Sequence, residues 1–196
     1  TGNYDSTMRL WDITAGAEIR KFTGHSKPVS SVAFSPDGKF ALSGSSDETV
    51  KLWNVGNAEE LKTFKGHSGD VCSVSFSPDG RYAVSGSRDE TIILWDIAAG
   101  RKSAVFRSKD SGGLRSVLFS PDGKYILSVD YWNQVARLWN ASTGREVKSF
   151  AGRPHYVNCI AFSPSGEYIL TGSADNSVKL WRISTGAEIR TFTGHT

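Results

Sequence analysis

Tryptophan recurs along this chain with a nearly fixed stride, at Trp11, Trp53, Trp95, Trp139 and Trp181, so that successive gaps are 42, 42, 44 and 42 residues. A period in that range marks a stack of like units, each burying its faces against its neighbours. Two further markers keep the same phase. FSPDG stands at 34–38, 76–80 and 119–123 with FSPSG at 162–166, and Gly-His pairs fall at Gly24-His25, Gly66-His67 and Gly194-His195. Three independent markers in one phase are no accident, and they make the repeat the unit of architecture.

One unit reads as four short strands, at 28–35, 39–45, 49–54 and 60–65. Ser35-Pro36-Asp37-Gly38 joins the first two, its proline presetting φ and its glycine relieving the exit. The next turn centres on Ser46-Asp47-Glu48, and Gly56-Asn57 loosens the connection to the fourth strand. Short strands at this spacing, with turn chemistry between them, predict an all-β architecture. In the first strand Val29, Val32 and Phe34 break strict alternation, which predicts a β-bulge that turns Ser30 outward.

These residues resemble the WD-repeat (WD40) β-propeller family, whose repeat of ~40–45 residues forms one four-stranded blade. Gly24-His25, FSPDG, SGSSD (43–47) and Leu52-Trp53-Asn54 carry the resemblance, with Trp11-Asp12 and Trp95-Asp96 in the literal form, and it covers essentially the whole chain. It implies a propeller segment over 1–196: a partial N-terminal blade (1–24) and four complete blades at about 25–66, 67–108, 109–152 and 153–196. Thr1-Gly2-Asn3-Tyr4-Asp5 matches Ser43-Gly44-Ser45-Ser46-Asp47, so the chain starts inside a second strand, on a residue other than methionine. This predicts an internal piece of a larger ring of about seven blades. Further blades from the same parent chain, or another copy, would be among its partners.

His25, Ser43 and Asp47 are the ingredients of a nucleophilic triad. His67, Ser85 and Asp89 repeat the set one period later, each set followed by its tryptophan, Trp53 or Trp95. An active site occurs once per domain, whereas a set that recurs with the blade is architecture. The resemblance implies a hydrogen-bonded tetrad that ties the histidine turn to the second and third strands. No P-loop, H-E-x-x-H or paired C-x-x-C is present, so the expectation is no catalytic site, no metal and no cofactor.

The fourth blade breaks the pattern. One extra residue lies in SVDYWNQ (128–134) and another in RSKDSGG (107–113), where the Gly-His pair is missing. Counting back from Trp139 puts Asn133 at the aspartate position, so the tetrad is expected to be lost there while Tyr131 and Trp132 join the rim. The fifth blade has Arg153 at the histidine position with His155-Tyr156 beside it. The histidine and aspartate turns share one face of a propeller, the top, where the family typically docks partners. Carried over position by position, the resemblance names Tyr4; Pro28, Ser30 and Ser46; Asp70, Cys72 and Arg88; Gly113, Arg115 and Trp132 with inserted Tyr131; and Tyr156, Asn158 and Ala174. Arg88, Arg115, Tyr131, Trp132 and Tyr156 are of the types that dominate interface hot spots. The same aromatics can also be read as folding back over a weakened blade.

The formal charge of +3 is spread among interspersed acids and bases, without the basic cluster that a nucleic-acid partner demands. No apolar run approaches the ~18 residues of a membrane helix. Cys72 and Cys159 sit in apolar segments and are expected to be buried free thiols, which fits a reducing, cytoplasmic setting. The reading is a non-catalytic scaffold that binds a protein or peptide on its top face around blades three to five. The alternative is a sensory or regulatory propeller domain of a larger multidomain signalling protein, with an enzyme as the remote third.

Overall fold

The computed structural model describes residues 1–108, 112–150 and 156–195, and every helix-or-strand element among them is a β-strand. β1 (Thr7–Asp12) and β2 (Ala17–Thr23) form a two-stranded sheet. The second blade follows as β3 (Val29–Phe34), β4 (Phe40–Ser45), β5 (Thr49–Asn54) and β6 (Glu60–Lys65). The third is β7 (Val71–Phe76), β8 (Tyr82–Ser87), β9 (Thr91–Asp96) and β10 (Arg101–Arg107). The fourth is β11 (Leu114–Phe119), β12 (Tyr125–Asp130), β13 (Ala136–Asn140) and β14 (Glu146–Phe150). The fifth is β15 (Val157–Phe162), β16 (Tyr168–Ser173), β17 (Val178–Arg182) and β18 (Glu188–Phe192). Each blade is an antiparallel meander in which strands adjacent in sequence pair.

Local chemistry sets this geometry. In the first bottom turn Ser35 Oγ donates to Asp37 Oδ1 at 2.7 Å and accepts from the amide of Phe40 at 2.9 Å, while Gly38 takes φ +70°. The top turns each place one residue at positive φ: Ser6, Glu48, Glu90, Gln134 and Asn176. The bulge expected at Ser30 is present, with the register shifting between Val29 and Ser31, and it recurs at Val71/Ser73, Leu114/Ser116 and Val157/Cys159. A bulge re-aims the extra residue, so Ser30, Cys72, Arg115 and Asn158 occupy equivalent positions at the top of the four first strands.

The first strands pack side by side, β3 on β7, β7 on β11 and β11 on β15. Apolar cores therefore lie between sheets. Leu42, Leu52 and Phe64 of the second blade pack with Val74, Ile93 and Trp95 of the third, and Met8 and Phe22 pack with Ala41 and Trp53. The Phe64 and Trp95 rings lie 5.3 Å apart, a pairing that contributes ~0.5–1.5 kcal/mol beyond its area. Neighbouring sheets leave no room for a side chain at one glycine: a Cβ on Gly44 would stand 2.6 Å from Val71 Cγ1, and one on Gly86 2.6 Å from Val117 Cγ1. Val129 occupies that register in the fourth blade, buried in the core it shares with Val157.

Both cysteines are free, but burial was expected of each and only Cys72 is even half-buried; Cys159 is exposed. Its strand belongs to the fifth blade, and among the described residues no further sheet packs over that blade's outer face, so β18 is exposed along its whole length.

Candidate functional site: the top face

In the second blade His25 Nδ1 lies 2.7 Å from Asp47 Oδ2, and His25 Nε2 lies 2.7 Å from Ser43 Oγ, which accepts from Trp53 Nε1 at 2.8 Å. Ser43 has one proton to give once it has accepted the indole N–H, so it donates to Nε2 and leaves the Nδ1 proton for Asp47. The third blade repeats this with His67, Asp89, Ser85 and Trp95 at 2.9, 2.7 and 2.8 Å. Burial pushes the His25 imidazole below its ordinary value, outweighing the bond and charge of Asp47. Burial alone would raise the Asp47 carboxyl, yet hydrogen bonds from Thr49, His25 and Ser26 hold it below the ordinary carboxylate range. Asp89 is held lower still by His67, Thr91 and Ser68 against the same burial. Every polar atom in these sets is engaged with its own blade, and Ser43 and Ser85 are fully buried, so neither serine can meet a substrate.

The fourth blade lacks the histidine tetrad but has not been left without a buried network. Trp139 Nε1 still donates to Ser128 Oγ at 2.8 Å. Asp130, with no exposed surface, accepts from Ser108 Oγ at 2.8 Å and from Arg137 Nε at 2.9 Å. Asp130 stands where Ser45 and Ser87 stand in the sister blades, so the acid has moved within the unit to within reach of Arg137, the counterpart of Lys51. In the fifth blade Trp181 Nε1 donates to Thr171 Oγ1 at 2.9 Å; Arg153 and His155 lie outside the described residues.

On the top rim the backbone settles which aromatic is the extra residue. The amides of Ser46, Arg88 and Ala174 donate to the carbonyls of Pro28, Asp70 and Tyr156, and the matching bond in the fourth blade runs from Tyr131 to Gly113. Tyr131 is thus the counterpart of Arg88 and not the insertion, contrary to the assignment read from the sequence; the extra residue lies in the following turn, 132–134, which contains Trp132. Of the stretch that holds the second insertion, RSKDSGG (107–113), residues 109–111 lie outside the described residues.

The structure groups the predicted rim residues unevenly. Gly2, Asn3, Tyr4, Pro28, Ser30, Ser46, Asp70, Cys72 and Arg88 line one depression. Ser46 Oγ donates to Asp70 Oδ2 at 3.2 Å, and Arg88 Nε stands 4.0 Å from the same oxygen. The Arg88 guanidinium covers the Tyr131 ring at 5.0 Å, while Arg115 Nη1 donates to Asn158 Oδ1 at 2.7 Å. Burial pushes the Cys72 thiol up, against the effect of Arg88 beside it. Trp132 lies flat against Gly112, where a Cβ would come within 2.0 Å of its ring, and is 70% exposed. Tyr156 is exposed on the fifth blade. Among the described residues neither Trp132 nor Tyr156 makes a ring contact with an arginine, so the cluster is two pairs flanked by two exposed aromatics.

Sequence reasoning missed a second recurring pair. Lys51 Nζ meets Glu60 at 2.8 Å, Lys179 Nζ meets Glu188 at 2.9 Å, Arg137 Nη1 meets Glu146 at 3.0 Å and Arg9 Nη1 meets Glu18 at 3.4 Å. The signal was present as a base two residues before the tryptophan and an acid seven after it. No group of three or more metal-ligating side chains occurs among the described residues.

The chain matches the family model "WD domain, G-beta repeat" at residues 16–54, 58–96, 100–140 and 144–182. It is 55% identical over 40 residues to the mouse F-box-like/WD repeat-containing protein TBL1X, a match covering 20% of this chain and 8% of that protein. It is 49% identical over 39 residues to mouse Coronin-7, covering 20% and 4%, and 46% identical over 43 residues to the nuclear distribution protein PAC1 of Mycosarcoma maydis, covering 22% and 10%. The matched stretch spans a tenth or less of each of these relatives. Four matched units on four four-stranded antiparallel sheets show that the chain belongs to the WD-repeat family.

Proposed function

We propose that this chain is a non-catalytic module that docks a protein or peptide on its top face, around blades three to five. The WD repeat is in general a protein-interaction scaffold. One observation carries the more specific reading: Arg88 is exposed yet already positioned, stacked on Tyr131 and held beside Asp70. A side chain ordered before its partner arrives loses less entropy on binding. Arg115 beside Asn158 and the open ring of Trp132 extend the same surface. Contact with Gly112 covers part of the Trp132 ring, so local repacking and a binding role act on different parts of one side chain. The free thiols of Cys72 and Cys159 support a cytoplasmic setting.

The test is to pan a random peptide library on the chain and measure the selected peptides against Arg115→Ala/Trp132→Ala. Loss of binding at an unchanged Tm supports the top face. Unchanged binding, or a large fall in Tm, overturns it. A regulatory domain of a larger multidomain signalling protein is the second reading, favoured by a relative that is both F-box-like and WD-repeat-containing; the parent transcript decides it.

A further inference from the structure

The fourth strand of each blade carries one position opposite the leucine of the third strand. It is Arg20 opposite Leu10, Lys62 opposite Leu52, Ala104 opposite Leu94, Lys148 opposite Leu138 and Arg190 opposite Leu180. Where a cation stands there and a blade follows, it reaches across the junction to one turn of the next blade. Lys62 Nζ donates to the carbonyls of Ile97 and Ala98 at 2.8 and 2.7 Å, and Lys148 Nζ to those of Ile183 and Ser184 at 2.9 and 2.8 Å. Arg20 donates to the carbonyl of Gly56, the equivalent turn. The architecture therefore presents, junction after junction, a pair of adjacent carbonyls shaped for one ammonium.

Between the third and fourth blades those carbonyls belong to Ala141 and Ser142, and Ala104 cannot reach them. Among the described residues no donor reaches either carbonyl. Ser103 stands where Leu61 and Val147 stand, so both residues that would fill the junction are small. What remains is an open cavity of about 480 Å³ whose walls include Asp79, Tyr82, Ala104, Phe119, Asp122 and Ala141. Bonds from Ser77 and the amide of Arg81, with a smaller effect of the Arg81 charge, hold the Asp79 carboxyl below the ordinary carboxylate range, and no described cation forms an ion pair with it. Asp122 is partly neutralised by Lys124 Nζ at 3.5 Å. The Phe106 ring packs where a Cβ on Gly144 would stand, on the track that the lysine stems follow past Gly100 and Gly186. A ligand must then enter from the bottom face, past the Asp79 and Asp122 turns.

We propose that this junction binds a primary alkylammonium group, which takes the place of the missing lysine: its N–H groups on the Ala141 and Ser142 carbonyls, its charge beside Asp79, its alkyl stem along Phe119. The site is on the opposite face from the docking surface and stands or falls independently of it. A partner protein's lysine and a free polyamine carry the same group.

The experiment titrates ¹⁵N-labelled chain with n-butylammonium, with N-acetyl-lysine methylamide and with spermidine. The expected result is saturable shifts confined to amides at 103–105 and 141–144, with the tighter of the last two compounds identifying the source. Asp79→Asn weakens the binding roughly threefold, as for an exposed ion pair. Ala104→Lys puts a stem and an ammonium into the cavity beside the Phe106 ring, so it abolishes the shifts. Ala104→Met fills the same space without a charge and abolishes them as well. No saturable shift in the unmodified chain, or equal shifts in Ala104→Lys, overturns the proposal.

Discussion

Arg137 holds the fully buried Asp130 through its Nε at 2.9 Å and turns its Nη1 outward to Glu146 at 3.0 Å. The third blade fills the same two positions with Ser87 and Ile93, both buried and neither charged. The two blades are thus alternative solutions to one packing problem. Removing one partner of a buried pair leaves an uncompensated charge, at a cost of ~3–5 kcal/mol. Arg137→Ile is expected to destabilise by that order, and Asp130→Ser/Arg137→Ile to recover most of the loss. Urea unfolding of both single variants and the double measures the coupling directly.

Ser43 is the hinge of the second-blade tetrad, since both the His25 and Trp53 nitrogens depend on its hydroxyl. Ser43→Ala strands two buried polar atoms and is expected to cost ~1–3 kcal/mol. Ser30→Ala, at the exposed bulge of the same blade, should stay within ~0.5 kcal/mol. Equal losses in thermal melts of the two variants would remove the tetrad as a source of stability.

Stability should fall in two steps on acidification. The folded pKa of His25 lies below the ordinary ~6.5, so the unfolded chain takes up its proton first and stability declines as pH drops below about 6.5. Asp47 and Asp89 are depressed below the ordinary ~3.9. Their contribution is complete above that value and is lost as pH falls through the lower folded values. Melting temperatures from pH 8 to pH 3 check this, and a flat profile between pH 7 and pH 5 would contradict the histidine step.

Gly44 is needed for the spacing of two sheets. A methyl group there would stand 2.6 Å from Val71 Cγ1 and 3.0 Å from Val74 Cγ1. Gly44→Ala is expected to cost ~1–3 kcal/mol through overpacking, and Gly44→Ala/Val71→Ala to regain part of it. Chemical denaturation of the pair reads the coupling.

Much of the blade was legible because it is local. The Ser35–Gly38 turn, the bulge at Ser30 and the second-blade strands all depend on residues within a few positions of one another, and the strands fall within one residue of the predicted bounds. The Lys51–Glu60 pair was equally periodic, but a base and an acid nine residues apart carry no sign of pairing until β5 and β6 lie side by side.

What the sequence by itself determined is the repeat: its stride, its four strands, its turn chemistry and the tetrads that recur with it. The tertiary structure alone decided three things. Tyr131 is not the extra residue, because its amide is claimed by Gly113 as that of Arg88 is by Asp70. Asp130 finds partners inside a blade because Arg137 lies across the sheet from Ser128, within reach. Ala104 matters because it holds the position from which Lys62 and Lys148 reach the next blade, and it shares a cavity wall with Ala141 and Ser142. Local turn and strand chemistry is written in neighbouring residues, whereas these relationships arise only when strands pair and sheets stack, and sequence distance says nothing about which atoms then meet.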